Sequence, residues 1–554
     1  MNPVVGVIDG RLGVRCSGSA ATAVKSLPGA RWNERNGLWT LPATPAAAFR
    51  LSRALNGDTE WREKGAALLD QWERTVNFAD FDPELEKILN KPPRIHQTEA
   101  FVRAYPAAGF LLWLAMSAGK TYIALGLAQG RKHRRVLVIC PKKVIQVWKD
   151  QAVDHGYSGR VEDLGPDHAS TAKKAARLVS LLRETDGPLL VVHNKDSVWR
   201  RPLADAILDA GFEMVIADEV QFAKSAGSSV SRFMARLAER VPYRLGLSGT
   251  PVPLHPVLDS YGIYRFLDAG IFGTSSASHK ARYLEMVERE RKDGRRYPVI
   301  DKTRNETEFR RWFDSICFVV PKGRLDLPPE QTVTRRFELS GEGRRIYAEL
   351  REEMLAEFKA RTITATNAGT RFMRFRQLAS GFTKSEDGEI LRVDHEKLEL
   401  LSEVIDELGS EPAVIWYYFR EDGAAIRAML GQRSCEVSGD RDERHLWHDG
   451  GAQFLAAQVE SGSEGIDLTR ACYGIYFSVG TQGAKFEQSM ARLCRTNQPR
   501  PVSYIRLVAM GTIDASMYAG HERKMKDSSW LSASRDVDLW KWFLENPEEV
   551  LDGT

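Results

Sequence analysis

Short apolar runs bounded by glycine or polar residues recur along the chain in two groups. In the first, GFLLWLAM, RRVLVICP, PLLVVHN, FEMVIADE and YRLGLSG alternate with segments of helical periodicity. AVIWYYF, GAQFLAAQ, ACYGIYFSV and VSYIRLVA form the second group. Strands that are apolar throughout and alternate with helices predict parallel sheets covered on both faces. From about Lys280 to Leu401, between the groups, the sequence is charged and reads as mostly helical.

Ahead of these groups, the strand patterns VVGVI and LGVRC, the helical AATAVKSL, a strand pair in GARWNERNGLWTL and the helical PAAAFRLSRAL predict a small α/β module. An amphipathic helix, WREKGAALLDQWERTV, then leads to the Pro92-Pro93 pair. The expected organisation is a module over 1–56, a helical linker over 57–90 and a first lobe with a helical insertion over 91–340. A helical insertion of the second lobe over 341–395, that lobe itself over 396–525 and an amphipathic tail over 526–554 complete it. No repeat of fixed period supports a solenoid.

Composition narrows the class. At 43% hydrophobic and 27% charged residues, the chain has the mixture of a folded globular protein. Its net charge of only +4 means that a nucleic-acid surface must arise from local clusters of Lys and Arg. Cys16, Cys140, Cys317, Cys435, Cys472 and Cys494 lie far apart with no C-x-x-C pair, so neither a zinc ribbon nor a disulfide framework is signalled. The opening residues lack a signal-peptide layout, and no apolar run reaches the roughly 18 residues of a membrane span. A cytoplasmic protein of a bacterium, or of a virus infecting one, is expected.

Candidate chemistry begins at Met116, Ser117, Ala118, Gly119, Lys120 and Thr121, which follow an apolar strand and open a helix. Backbone N–H groups and the positive helix end can converge there on phosphates. Gly119 allows close approach, Lys120 reaches the β and γ phosphates, and the Thr121 hydroxyl suits Mg²⁺. Leu114 replaces the first glycine of the usual phosphate-loop pattern, and a helix cap beside a surface lysine is the competing reading. MVIADE then ends a strand in Asp218 and Glu219, at the carboxyl edge where open α/β sheets bind ligands. Asp218 is the candidate Mg²⁺ holder, and Glu219 the base that activates the attacking water.

GKT, DEVQ and the segment Ser248, Gly249, Thr250, Pro251 come in the order and spacing of superfamily-two helicases, and DEVQ resembles their DEAD/DEAH box. Further segments resemble the Snf-type branch. Gln97 in RIHQTEAF is similar to its Q motif, and Pro141 and Lys142 open PKKVIQVW, similar to its motif Ia. Asn194 in VVHNKDSV and Lys224 in DEVQFAK match as well. QSMARLCRTNQ resembles motif VI, with Asn497 where glycine is usual, and SGSEGIDLTRA resembles motif V, with Asp467 where Asn is usual. The resemblance spans roughly residues 91–520.

It implies two RecA-like lobes preceded by the small α/β domain, with ATP and Mg²⁺ as cofactors. By the same resemblance, Gln97 and Gln488 serve the nucleotide, and Arg492 and Arg495 are arginine fingers reaching across the interlobe cleft. Pro141, Lys142, Asn194, Lys224, Ser248, Gly249, Thr250, Gly462, Gly465, Asp467 and Thr469 are candidates for nucleic-acid contact or coupling. The carboxylate of Asp467 is repelled by phosphate unless a basic group pairs with it.

VKSLPGARWNERNGLWTLP resembles the HARP domain of annealing helicases, with Trp32 and Trp39 flanking a turn. That implies recognition of branched DNA or of junctions between single and double strands. Two core tryptophans are the alternative. His445 and His448 have a helix spacing that suits a metal, but no partner ligands lie at matching intervals, so surface histidines are expected.

The expected activity is that of an ATP-dependent translocase on duplex DNA that remodels or anneals branched substrates. It would act as a monomer, without a membrane, and with a replication or repair protein as candidate partner. The alternatives are a strand-separating DNA or RNA helicase and a nucleotide-gated DNA clamp subunit of a larger complex.

Overall fold

The computed structural model describes residues 2–25, 27, 30–43, 45–55, 59–76, 88–166, 168–249, 256–290, 296–360, 365–385, 387–462 and 466–526. The chain divides into two compact units, Met1–Arg324 and Leu325–Thr554. Thr250, Pro251, Gly465 and the tail that carries Trp530, Trp540 and Trp542 lie outside the described residues.

The first unit opens with strands β1 (Val4–Ile8), β2 (Arg11–Arg15), β3 (Arg31–Asn33), β4 (Leu38–Pro42) and β5 (Glu60–Trp61), in the sheet order β3-β4-β2-β1-β5. Asp9 and Gly10, at φ 50° and 71°, turn β1 into β2 with the left-handed pair that a tight hairpin demands. Helices Gly18–Lys25 and Pro45–Leu55 contribute Val24 and Leu51 to a core with Val5, Leu12, Val14 and Leu41. β5 pairs in parallel with β1, and helix Glu63–Val76 packs on helix Pro45–Leu55. Residues 59–76, expected as linker, therefore extend the front module; a two-residue strand carries no periodic signal that would reveal this in the sequence.

The large sheet of this unit contains β6 (Gly109–Leu114), β7 (Arg135–Cys140), β8 (Arg160–Asp163), β9 (Leu189–Asn194), β10 (Met214–Asp218) and β11 (Tyr243–Ser248). Beyond a separate antiparallel pair, β12 (Leu284–Glu290) and β13 (Arg296–Thr303), comes β14 (Cys317–Val320). The order β14-β6-β11-β10-β7-β9-β8 is parallel throughout. The β12–β13 pair lies where helix was expected. Its strands (LEMVERE, RYPVIDKT) cluster their apolar and charged residues and put charge on both faces, so no period-two pattern marks them.

Aromatic rings brace the end of the unit: Phe272 and Phe309 stack at 5.1 Å, and Tyr264 and Phe313 at 5.1 Å. The front module rests beside this cluster. Arg31 donates to the Thr274 hydroxyl, and Trp312 packs against the module's core.

The second unit holds β15 (Glu330–Phe337), the small pair β16 (Phe382–Lys384) and β17 (Ile390–Arg392), then β18 (Ala413–Tyr417), β19 (Ser434–Val437), β20 (Phe454–Gln458), β21 (Tyr473–Tyr476) and β22 (Val502–Ala509). Its main sheet runs β15-β22-β21-β18-β20-β19, again parallel. Both lobes are thus RecA-like parallel sheets. β15 joins the second sheet along its whole length through β22, so the division falls after Arg324 and not at 340. Buried Trp416, Tyr476 and Tyr504 fill one face, and a buried Lys397–Asp514 ion pair at 2.6 Å ties the helix Glu396–Leu408 to the start of helix Ile513–Lys526.

Candidate active site

β6, β11 and β10 are adjacent in that order, so the residues that end them lie side by side on one sheet edge. Spacing of about 4.8 Å per strand puts the ends of β6 and β10 roughly 10 Å apart. Lys120 follows β6, Ser248 closes β11 and Asp218 closes β10. The three motifs read separately along the chain therefore form one site, with the Ser248–Gly249 segment in the middle.

Helix Lys120–Gly130 begins at Gly119, whose φ is 81°, and Ser117 sits at φ 66°. A left-handed conformation at a non-glycine residue is uncommon and marks a loop held for a purpose. Alternating turns of this kind point successive N–H groups inward and make an anion cradle. The Ala118 carbonyl is held from outside, taking the Gln97 amide at 3.1 Å and His96 Nε2 at 2.9 Å. Gln97 also accepts from the Arg94 N–H at 2.9 Å, so its amide is anchored at both ends. A Cβ at position 119 would stand 2.1 Å from the Gln97 nitrogen and displace that anchor, and the left-handed φ of 81° favours glycine there as well. Lys120 Nζ donates to the Leu114 carbonyl at 3.2 Å and lies 2.8 Å from where a Cβ on Gly249 would be. Met116 and Thr121 are half-buried in the same loop.

Asp218 is 7% exposed and takes one donor on each oxygen, the Trp148 indole on Oδ2 at 2.9 Å and the Glu219 N–H on Oδ1 at 3.0 Å. Burial, followed by the charge of Glu219, pushes its carboxyl up to about 6, while Trp148 and Lys120 pull the other way. A buried carboxylate beside a second one stays ionised when a cation joins it. Its remaining lone pairs at the strand end, with the Thr121 hydroxyl, fit Mg²⁺, which takes few protein ligands and fills its shell with phosphate and water oxygens. Glu219 stands at φ 53° and accepts the Gln221 amide at 2.6 Å; Gln221 in turn accepts the Ser248 hydroxyl at 3.2 Å. Gln221, Trp148 and His96 were not among the expected site residues. Trp148 and His96 lie inside motifs already singled out, and Gln221 is the last letter of DEVQ.

The remaining first-unit candidates divide by exposure. Lys142 is exposed beside the buried Pro141. Asn194 is buried and caps its own turn, accepting from the Asp196 and Ser197 N–H groups at 3.1 and 3.0 Å. Lys224 lies 3.6 Å from Asp259. Trp32 is 51% exposed and meets Trp39 edge-on at 5.5 Å, while Trp39 packs against the module's core.

In the second unit, Gln488 is buried and its side-chain oxygen has no partner among the described residues. Arg492 is half-buried. Arg495 is 19% exposed, donates to the Ile466 carbonyl at 2.6 Å and lies 3.8 Å from Asp467. Asp467 also accepts from the Thr469 N–H at 2.9 Å and hydroxyl at 2.7 Å. Although burial raises its carboxyl, Arg495 and Thr469 together hold it below the usual carboxylate range. The basic partner that this carboxylate requires is thus Arg495. Gly462 is closely packed, since a Cβ there would sit 3.2 Å from the Ala457 side chain and the Val437 carbonyl. His445 and His448 belong to a short helix, and no group of three or more His, Cys, Asp or Glu among the described residues could hold a metal. No helix among the described residues is long and apolar enough to cross a membrane.

The phosphate-type loop, the strand-end acids and the paired parallel sheets define a nucleic-acid-dependent ATPase. Residues 94–384, more than half of the chain, match the SNF2-related domain, and the chain belongs to that family. Protein p41 of Acyrthosiphon pisum secondary endosymbiont phage 1 is 24% identical over 436 residues, covering 73% of this chain and 90% of that protein. The DNA 3'-5' translocase XPB2 of Sulfurisphaera tokodaii is 22% identical over 435 residues, 76% of this chain and 82% of that one. Among solved structures, the SWI2/SNF2 ATPase core of Sulfolobus solfataricus in complex with dsDNA aligns with 83% of this chain and 96% of its own, at 18% identity and a TM-score of 0.37.

Proposed function

We propose that the protein is an ATP-dependent translocase on duplex DNA that remodels or anneals branched substrates. The observation that carries this reading is the convergence of Lys120, Ser248 and the pair Asp218 and Glu219 on adjacent strand ends of one parallel sheet. That arrangement suits phosphoryl transfer to water: backbone N–H groups and Lys120 bind the phosphates, Asp218 and Thr121 hold the metal, and Glu219 orients and deprotonates the water. Bound Mg²⁺ supplies charge neutralisation of the phosphate oxygens. Gln221 keeps the Glu219 carboxylate aimed by its hydrogen bond. Arg492 is the arginine finger. Arg495, fastened to the Ile466 carbonyl and to Asp467, joins motif VI to motif V so that hydrolysis and strand grip change together.

The DNA 3'-5' translocase relative supports DNA as the track and makes 3'-5' the first polarity to test here. Exposed Lys142 contacts phosphate, a mode of binding with little sequence preference and a strong dependence on salt. Trp32, half exposed on an edge strand beside Arg31, offers a ring on which an unpaired base at a junction can stack. The phage relative supports a viral source.

The test is ATP turnover measured alone and with single-stranded DNA, duplex, fork and RNA at one fixed salt concentration. Strongest stimulation by the fork, lost on deleting the whole front module, residues 1–76, supports the remodelling reading. Indifference to every DNA would remove the translocase and leave a nucleotide-gated clamp; preference for RNA would indicate the strand-separating alternative.

A further inference from the structure

Trp148 is fully buried, and its indole N–H is donated to Asp218, a residue 70 positions away in the chain. Burial of the ring alone could have been matched by any backbone carbonyl. Here the donor goes to the carboxylate assigned to the metal. A hydrogen bond to an ionised acceptor is about twice as strong as a neutral one and fixes the acceptor's orientation. The other oxygen is fixed by the Glu219 N–H, so Asp218 is aimed jointly by its own strand end and by the helix that carries Trp148.

That helix, Ile145–Asp154, starts directly after the turn Lys142–Val144 at the end of β7. Lys142 is exposed, and Trp148 lies about 9 Å further along at a helical rise of 1.5 Å per residue. The far part of the helix is fastened to the sheet, with Lys149 paired to Asp163 at 2.9 Å and Ala152 buried. A phosphate seated on the turn therefore acts on a rigid element whose next buried side chain grips the metal-holding acid.

We propose that Trp148 is a positioning residue through which nucleic-acid contact at the Lys142–Val144 turn sets the orientation of Asp218 and so the rate of hydrolysis. The proposal rests on the reading of Asp218 as the metal-holding acid and of Lys142 as a phosphate contact.

Trp148→Phe in the full chain keeps a buried ring and removes the donor. Three quantities are read: turnover with and without duplex, Mg²⁺ titration of the binding of a fluorescent ATP analogue, and duplex affinity at fixed salt. Loss of a residue that orients a metal ligand costs about 10- to 100-fold. Loss of that size is expected in duplex-stimulated turnover and exceeds the loss in unstimulated turnover, so the stimulation ratio collapses. The Mg²⁺ half-point rises, while duplex affinity changes less than about two-fold because no phosphate contact is removed. A stimulation ratio equal to that of the unaltered protein, or equal loss in both rates, overturns the proposal.

A second arm avoids the core. Saturating duplex lowers the Mg²⁺ half-point of the unaltered protein, and Lys142→Ala abolishes that shift. A shift that persists in Lys142→Ala overturns the proposal even if Trp148→Phe does not fold. Failure of the functional reading looks different: the unaltered protein then shows neither stimulation by duplex nor a shift.

Discussion

Gln221 donates its side-chain amide to the carboxylate of Glu219 at 2.6 Å, across a backbone that places Glu219 in the left-handed region. The other end of the same amide accepts the Ser248 hydroxyl at 3.2 Å, so one side chain links the end of β10 to the end of β11. Removing it frees the Glu219 carboxylate to rotate. Gln221→Ala is expected to lower the turnover number about 10- to 100-fold, since small misplacement of a reacting group has costs of that order. The KM for ATP should change little, because the side-chain hydrogen bonds of Gln221 among the described residues go to Glu219 and Ser248 and not to the loop around Lys120, and steady-state kinetics separate the two constants. An unchanged turnover number would show that the bridge does not aim the base.

The two arginines of the second unit occupy different surroundings and should fail differently. Arg492→Ala is expected to cost about 10³-fold or more in turnover, the usual worth of an arginine finger, with an unchanged melting temperature. Arg495→Ala strips Asp467 of its partner and leaves the Ile466 carbonyl without a donor. It should lower the melting temperature as well as turnover, by roughly 1–3 kcal/mol of stability. Equal melting temperatures for the two variants would contradict the strut assigned to Arg495.

Trp32 and Trp39 touch, yet only Trp39 packs against the core of the front module. Trp32→Ala should leave thermal stability close to that of the unaltered protein and weaken fork binding by about 1–3 kcal/mol, the contribution of one stacked base. Trp39→Ala should destabilise the module. Fork affinity and melting curves of both variants check the division; a Trp32 variant with full fork affinity removes the stacking assignment.

Asp422 is fully buried, accepting from Ser478 at 2.5 Å and from Ser380 at 3.4 Å. Burial pushes its carboxyl from 3.8 up to about 7. The sign follows from proton counting. Below about pH 4 the folded and unfolded chains both hold the proton, and between there and about pH 7 only the folded chain does. Stability contributed by this group is therefore present at low pH, declines as pH rises through that window and is lost above it, at no more than about 1.4 kcal/mol per pH unit. Asp422→Asn should remove the decline, so its melting temperature gains on the unaltered protein between pH 4 and 7. A difference that is flat with pH would contradict this assignment.

Much of the site could be read from the sequence because its chemistry is local. Gly119-Lys120-Thr121 and the strand-end pair Asp218 and Glu219 each carry their own context, an apolar run on one side and a helix or turn on the other. The two sheets were legible for the same reason. The partners were not. Trp148 reaches Asp218 across 70 residues, and nothing in a run of apolar and charged letters says which buried donor meets which acid. Arg495 reads as half of a basic pair, whereas its burial and its bond to the Ile466 carbonyl arise only when motifs V and VI fold together. The β12–β13 pair and the two-residue β5 escaped notice because charge on both faces, or sheer shortness, erases periodicity. Asp467 shows the reverse case. Charge repulsion makes a phosphate role for that residue conditional on a basic partner, and Arg495 lies 3.8 Å from it.

The central claim is movement along duplex DNA driven by hydrolysis at the Lys120–Asp218–Glu219 site. It is tested most directly by displacement of a third strand from a duplex, with the unaltered protein and Glu219→Gln compared at equal DNA occupancy. The account predicts ATP-dependent displacement by the unaltered protein. Glu219→Gln should bind ATP and DNA but displace the strand slower by about 10²- to 10⁴-fold, the usual worth of a general base. Vigorous DNA-stimulated hydrolysis without displacement would contradict translocation and leave a nucleotide-gated clamp.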